Sequence, residues 1–338
     1  MKKLLVVLIS GVLVLSFTSC KKDGVYRPGK KISQIYTESP VYEEVYNEDE
    51  DYYDEVPTGE TILTLSQNWL WNGNLLEEKE IYDGLEITGR YFFTYEKNRL
   101  IRVMKTWKEP IEYSGQYAYV YDKNKLDKIV IDDYDGGSEM NFVYDKNTLK
   151  EVNIFYDNDY DRSISPAEIL EPLAMVLDNN VFASLEANEA FVADLTENIS
   201  KSQKSLQNIK ITFEWTKKNI SKMTITSSNF PVTYDVTFSY DKKVNPFCGL
   251  LFTEALEAVS YAPTASSSNV LMFSANNVTE MKMLASAPGH SSSSTTTISY
   301  EYDGNYPTKI TAKYSSDDML IEGGAAAATE HVEYIHYK

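Results

Sequence analysis

The sequence predicts a mainly β protein: one long antiparallel meander of repeated β-hairpins, curved or partly closed, with a helical insertion near 164–206 and a short helix near 249–260. Three observations carry this. A short aromatic-acid-lysine turn recurs along the chain, and neighbouring copies lie about 23 to 26 residues apart, which is the length of two strands and two turns. The flanking segments alternate, as in Tyr91, Phe93, Tyr95 and Tyr117, Tyr119, Tyr121, so their aromatics share one face of a strand. A lone hairpin cannot bury its own face, so successive hairpins must pair edge to edge.

Taken in order, the chain opens with Lys2 and Lys3 and an apolar run from Leu4 to Phe17, too short to span a bilayer and the right length for a secretory leader. The run ends in Leu15-Ser16-Phe17-Thr18-Ser19-Cys20, small residues before a cysteine. That pattern predicts a lipoprotein signal peptide over 1–19, with Cys20 becoming the acylated first residue and acyl chains supplying the membrane anchor. Cys248 is then expected to be a lone free thiol, packed as a small hydrophobe.

From Ile32 to Glu78 there is no Lys or Arg, while twelve acids fall in that span. Self-repulsion predicts an acidic disordered tether over 20–58 and a single β-repeat domain over 59–338. The hairpin turns follow: Tyr95-Glu96-Lys97-Asn98, Tyr121-Asp122-Lys123-Asn124, Tyr144-Asp145-Lys146-Asn147, Trp215-Thr216-Lys217-Lys218, Tyr240-Asp241-Lys242-Lys243 and Tyr302-Asp303-Gly304-Asn305. A degenerate first copy starts at Trp71-Asn72-Gly73-Asn74. Asp, Asn and Gly supply the turn chemistry. The count comes to about 13 to 15 strands, enough for the sheet to curl, split or close. Ile169, Leu170, Leu173, Val176 and Leu177 carry the helical spacing of the insertion.

The lipobox, the Tyr-Asp-Lys-Asn hairpins, Tyr240-Asp241-Lys242-Lys243-Val244-Asn245-Pro246-Phe247, Ser274-Ala275-Asn276-Asn277-Val278 and the late Tyr302-Asp303-Gly304-Asn305-Tyr306-Pro307 together resemble a group of Bacteroidetes-type lipoproteins. The resemblance implies a porin-like antiparallel β fold and an address at the outer membrane, periplasmic or surface-facing. It implies no catalytic residues.

Composition narrows the function. The chain is 43% apolar and 24% charged, a balance that excludes wholesale disorder. A net charge of −18 argues against nucleic acid or anionic lipid headgroups as the main partner. No serine-hydrolase elbow, phosphate loop or dinucleotide fingerprint occurs. His331 and His336 stand five apart in an expected strand and point to opposite faces, and His290 lies in a Ser-rich loop. Paired carboxylates for glycoside hydrolysis stay open, since fifty acids offer pairs at some separation.

Two candidate sites remain. Asp157, Asp159, Asp161, Ser163, Ser165 and Glu168 fall at the oxygen-bearing positions of a calcium loop, although Arg162 stands where the sharp turn wants Gly and a strand precedes it. The alternative is a helix start, with Ser165 as N-cap, Pro166 at N1 and Glu168 closing a capping box. Calcium is the one cofactor the sequence suggests. The second candidate is the aromatic ladder. Tyr119, Tyr121, Trp107 and Trp71 either pack across strands or form a wet platform that stacks on sugar rings. The resulting expectation is a lipid-anchored envelope protein that binds polysaccharide or scaffolds other envelope proteins, without a catalytic centre of its own.

Overall fold

The computed structural model describes residues 23–47, 52–107, 113–133, 136–157, 207–227, 233–251, 272–287, 290–316 and 329–338. Among them run sixteen strands: β1 (Ile32–Asn47), β2 (Tyr52–Asn72), β3 (Leu75–Asp83), β4 (Glu86–Glu96), β5 (Arg99–Trp107), β6 (Tyr113–Asp122), β7 (Lys125–Asp133), β8 (Gly136–Asp145), β9 (Thr148–Asp157), β10 (Gln207–Thr216), β11 (Asn219–Ser227), β12 (Thr233–Tyr240), β13 (Val278–Ala287), β14 (His290–Asp303), β15 (Tyr306–Ser316) and β16 (Thr329–Tyr337). Each pairs antiparallel with its chain neighbours, and β1 closes on β16 to complete a barrel. The predicted meander is therefore a closed barrel, in which closure of β1 on β16 pairs the two edges that an open sheet would expose. The helical insertion near 164–206 lies outside the described residues. Of the short helix near 249–260, Gly249, Leu250 and Leu251 form a turn and its exit, and the rest lies outside them.

Up-and-down order sends alternate connections to opposite ends. Two-residue turns at Gly73-Asn74, Lys97-Asn98, Lys123-Asn124, Lys146-Asn147, Lys217-Lys218 and Gly304-Asn305 gather at one end, with the start of β1 and the end of β16. The other end carries every connection that follows an outgoing strand, including 158–206.

The barrel's polarity follows the strand period. On β4, Tyr91 and Phe93 are buried while Arg90 and Thr94 are exposed. Val103, Tyr117, Ile129, Met140, Val152, Ile211, Met223, Val236 and Ile310 continue the buried face around the barrel. The outer wall is laced with ion pairs: Lys128 to Glu139 at 2.7 Å, Lys210 to Glu151 at 2.6 Å and Lys222 to Asp235 at 3.0 Å. The Lys128 and Lys210 ammonium groups hold Glu139 and Glu151 below the usual carboxylate range, mainly by hydrogen bonding. A lipid-facing barrel needs a continuous apolar band outside and a polar lumen; here the inner face is apolar, and outside, Phe92, Met104, Val120, Val130 and Val143 alternate with these charged pairs.

The tyrosine excess has a structural use. Tyr121 donates its hydroxyl to the Leu100 carbonyl at 2.7 Å, Trp215 its indole N–H to Leu149 at 2.7 Å and Tyr300 its hydroxyl to Val278 at 2.6 Å. Each such bond ties a hairpin to its neighbour just past a turn. These polar tips meet backbone carbonyls rather than water, and burial pushes the Tyr121 and Tyr300 phenols up.

Two sequence expectations are corrected. The acidic segment expected as a tether is largely strand: β1 pairs with β2 from Gln34 opposite Asn68 out to Asn47 opposite Tyr52. Its inner part is held by barrel closure, with Ile35 opposite Ile335 and both buried. The closing contact lies about three hundred residues away, so no local signal announces it. Pairing of β1 with β16 stops at Glu38, and beyond it β1 and β2 continue as a two-stranded arm. The second correction concerns Cys248, which is disulfide-bonded rather than a free thiol. The sequence holds one other cysteine, Cys20.

Candidate functional site

The short-turn end is plugged. After β12 the chain turns inward, and Asn245, Phe247, Met272, Phe273 and Ser274 are buried. Phe247 packs edge-on against Trp69 with ring centroids 6.3 Å apart, and Phe273 lies 6.4 Å from Phe213. The Asn219 side-chain oxygen accepts from the Ala275 and Asn276 amides at 2.9 and 3.1 Å, pinning the returning segment to a hairpin turn. An N-terminal strap crosses the same end. Tyr26 donates to the Pro246 carbonyl at 2.6 Å, and the Leu100 amide donates to Gly24 at 2.9 Å. Gly24 sits at φ 75°, and a Cβ there would collide with the Tyr121 hydroxyl, so this close approach requires glycine.

The four sequence-predicted aromatics are not brought together. Trp71 and Tyr121 lie at the plugged end. Trp71 donates to the Ile32 carbonyl at 2.7 Å and packs 5.8 Å from Tyr26, while the Arg99 guanidinium stacks 4.7 Å over Tyr121. Tyr119 is buried inside the wall, 5% exposed, out of reach of a surface sugar. Trp107 stands apart at the opposite end, as the last residue of β5.

Around Trp107 an open groove of about 490 Å³ is lined by Leu85, Ile87, Gly89, Arg90 and Thr106. Register explains the arrangement. Gly89 lies opposite Trp107, and an added Cβ would stand 3.1 Å from the indole ring, so the glycine makes room for the large ring on the neighbouring strand. Tyr91 meets Trp107 edge-on at 6.4 Å. Beneath them Lys79 and Lys105 are buried, their ammonium groups 5.1 Å over Tyr91 and 5.4 Å over Trp107. The Trp107 indole N–H has no hydrogen-bond partner among the described residues. Leu85, at the tip of the turn between β3 and β4, is 99% exposed. Sequence reasoning missed Gly89, Leu85 and Arg90. The only available signal was a glycine inside an alternating strand, which marks a close approach without saying to what.

Of the calcium-loop candidates, Asp157 ends β9 opposite Gly137. Asp159, Asp161, Ser163, Ser165 and Glu168 lie outside the described residues, as does Cys20. Among the described residues no three His, Cys, Asp or Glu side chains converge on a metal-sized site. His331 lies 3.4 Å from the buried Glu333 on β16.

No family model matches this sequence, and no curated protein matches it. Solved structures do. A porin-like protein from Bacteroides uniformis is similar with a TM-score of 0.46 at 13% identity, covering 93% of this chain and all of that one. A porin-like protein from Bacteroides vulgatus is similar with a TM-score of 0.33 at 8% identity, covering 91% of this chain and 99% of that one.

Proposed function

We propose that the chain is a cell-envelope protein that binds its ligand without transforming it, and that the mouth around Trp107 is the site, taking a glycan. The observation that carries this is the open groove lined by Trp107 at the end of the barrel opposite the plug. An indole face stacks on the apolar face of a sugar ring, and Arg90 and Glu86 at the groove supply partners for its hydroxyls. A water-facing charged wall around an apolar interior suits a binding barrel standing in the envelope, not a pore through its membrane.

Affinity-gel retardation against plant, host and microbial polysaccharides tests the site. Retardation by a glycan is expected, and Trp107→Ala should reduce it at least about tenfold, the loss of one stacking contact. Equal retardation of Trp107→Ala removes the mouth as the site.

A second reading, a scaffold for other envelope proteins, is favoured by the β1–β2 arm. Both its outer edges are unpaired among the described residues, and Tyr42, Ile62 and Leu63 are 53%, 54% and 49% exposed. Pro40 and Pro57 interrupt those edges, which limits indiscriminate strand pairing. Failure of every glycan to retard the protein turns the question to this arm.

Lipidation carries its own test. A thioether-linked lipid on Cys20 uses the sulfur that a disulfide would use. The lipoprotein reading therefore requires Cys248 to be reduced in the mature protein. Intact mass should show acyl chains together with one alkylatable thiol. An unacylated mass with no reactive thiol overturns the anchor.

A further inference from the structure

The basic residues of this acidic chain are not spread evenly. Lys97, Lys123, Lys146, Lys217 and Lys242 are exposed at the short-turn end, one at each of five successive connections there. None forms an ion pair among the described residues. Glu96, Asp122 and Asp145 precede three of them. Arg99 and Lys125 follow the first two, leaving those turns net basic. Asp241 and Asp303, the other acids of these repeats, are engaged by Asn277 and Lys30. Arg27, Lys30 and Lys31 of the strap add to the same end. In the sequence, Glu48-Asp49-Glu50-Asp51 joins β1 to β2, and 158–206, between β9 and β10, contains nine acids against three bases.

The backbone at these lysines is unusual. Lys97, Lys123, Lys146 and Lys217 sit at φ 52°, 55°, 54° and 59°, the left-handed region that favours Gly or Asn. A tight hairpin turn needs that conformation, and Gly73 and Gly304 fill it in sister turns at φ 55° and 63°. Four turns instead place a lysine there against local preference. Strain repeated in this way points to what the side chain does.

The chain's path adds a third observation. The Asp23 carbonyl accepts from Arg99 Nε at 3.0 Å, so the strap is fixed against this end. In the sequence Cys20 stands three residues before Asp23.

We propose that the lysine-tipped end is a docking surface for anionic lipid headgroups, seating the barrel on a membrane by its plugged end with the Trp107 mouth facing away. Juxtaposed lysines gain attraction to a negatively charged leaflet additively, within a Debye length of the surface. The net charge of −18 does not oppose this, because a net charge averages over the whole surface, while at physiological salt a membrane responds to the charges within about a Debye length of it. With strands of 9 to 11 residues through most of the wall, the two ends of the barrel are about 30 Å apart, several Debye lengths at physiological salt. The inference is independent of what the mouth binds and of whether Cys20 is acylated.

The test uses the chain from residue 20 onward with both cysteines kept, made without the leader so that no acyl chain contributes. It is sedimented with vesicles of phosphatidylcholine alone or with about 30% phosphatidylglycerol. Binding to the anionic vesicles should be about tenfold stronger at low salt and fall to the neutral-vesicle level near 0.5 M salt. Reversing Lys97, Lys123, Lys146, Lys217 and Lys242 to Glu should abolish the difference with an unchanged melting curve. Reversing Lys97 and Lys123 alone should weaken it, and reversing Lys282 and Lys313, the same change of charge on the outer wall, should preserve it. Equal binding to both vesicles overturns the proposal. So does an equal loss in both variants, which would make the effect one of net charge.

Discussion

Trp69→Ala should destabilise the protein by about 3 to 5 kcal/mol, the range for removing a large buried aromatic. Trp69 is 1% exposed on β2. Its ring stacks on Trp71 at 6.4 Å and receives the edge of Phe247 at 6.3 Å, so one side chain joins the barrel wall to the plug. Its indole N–H donates to the Gln67 side-chain oxygen at 3.0 Å, and Gln67 is itself 7% exposed. Truncation therefore opens a cavity at the wall–plug contact and orphans a buried acceptor, two costs that add. Trp69→Phe keeps much of the volume and should lose the smaller part. Urea denaturation of the two variants measures the difference. A loss under about 1 kcal/mol for Trp69→Ala would mean that the plug does not pack on the wall.

The hairpins were legible because their signals are local. Tyr91 and Phe93, or Tyr117 and Tyr119, alternate over a few residues and end at a turn residue, and each pair faces inward in the barrel. Barrel closure was not legible, since the pairing of Ile35 with Ile335 joins the two extremes of the sequence. The same distance hid the strands under the acids of 32–58. Charge density predicts self-repulsion in an isolated segment, whereas here the inner part of β1 is held between β2 and β16 and the outer part pairs within one hairpin. The aromatic pattern was visible, but the partners of its hydroxyls were not. A tyrosine that reaches the carbonyl of the preceding hairpin, as Tyr121 reaches Leu100, has the same spacing as one facing water. Trp107 was singled out with three other aromatics that turn out to lie elsewhere. Its distinction is its place at the end of an outgoing strand, which only the full strand order reveals.

Asp241→Ala should cost about 2 to 4 kcal/mol, more than removal of any other acid from the Tyr-Asp turns. In Asp122 and Asp145 the repeat places an exposed carboxylate beside a two-residue turn. At Asp241 the chain does not turn back but runs through the plug to β13, and the same carboxylate becomes the tie across that excursion. One oxygen accepts from the Lys243 amide at 2.9 Å and the Asn277 amide at 3.1 Å. The other accepts from Asn277 Nδ2 at 3.2 Å and from the Tyr302 hydroxyl. Asn277 is 3% exposed, so its donors cannot turn to water when the carboxylate is removed. Burial, reinforced by that bond, pushes the Tyr302 phenol up and keeps it a donor. Asp303→Ala is the matched control, because its partner Lys30 meets it in an exposed surface pair whose loss should leave stability nearly unchanged. Amide exchange at Asn277 separates the two, speeding in Asp241→Ala and holding in Asp303→Ala. Equal destabilisation by both would mean that the plug is held by its apolar contacts alone, with Phe247 and Phe273 sufficient to keep it in the barrel.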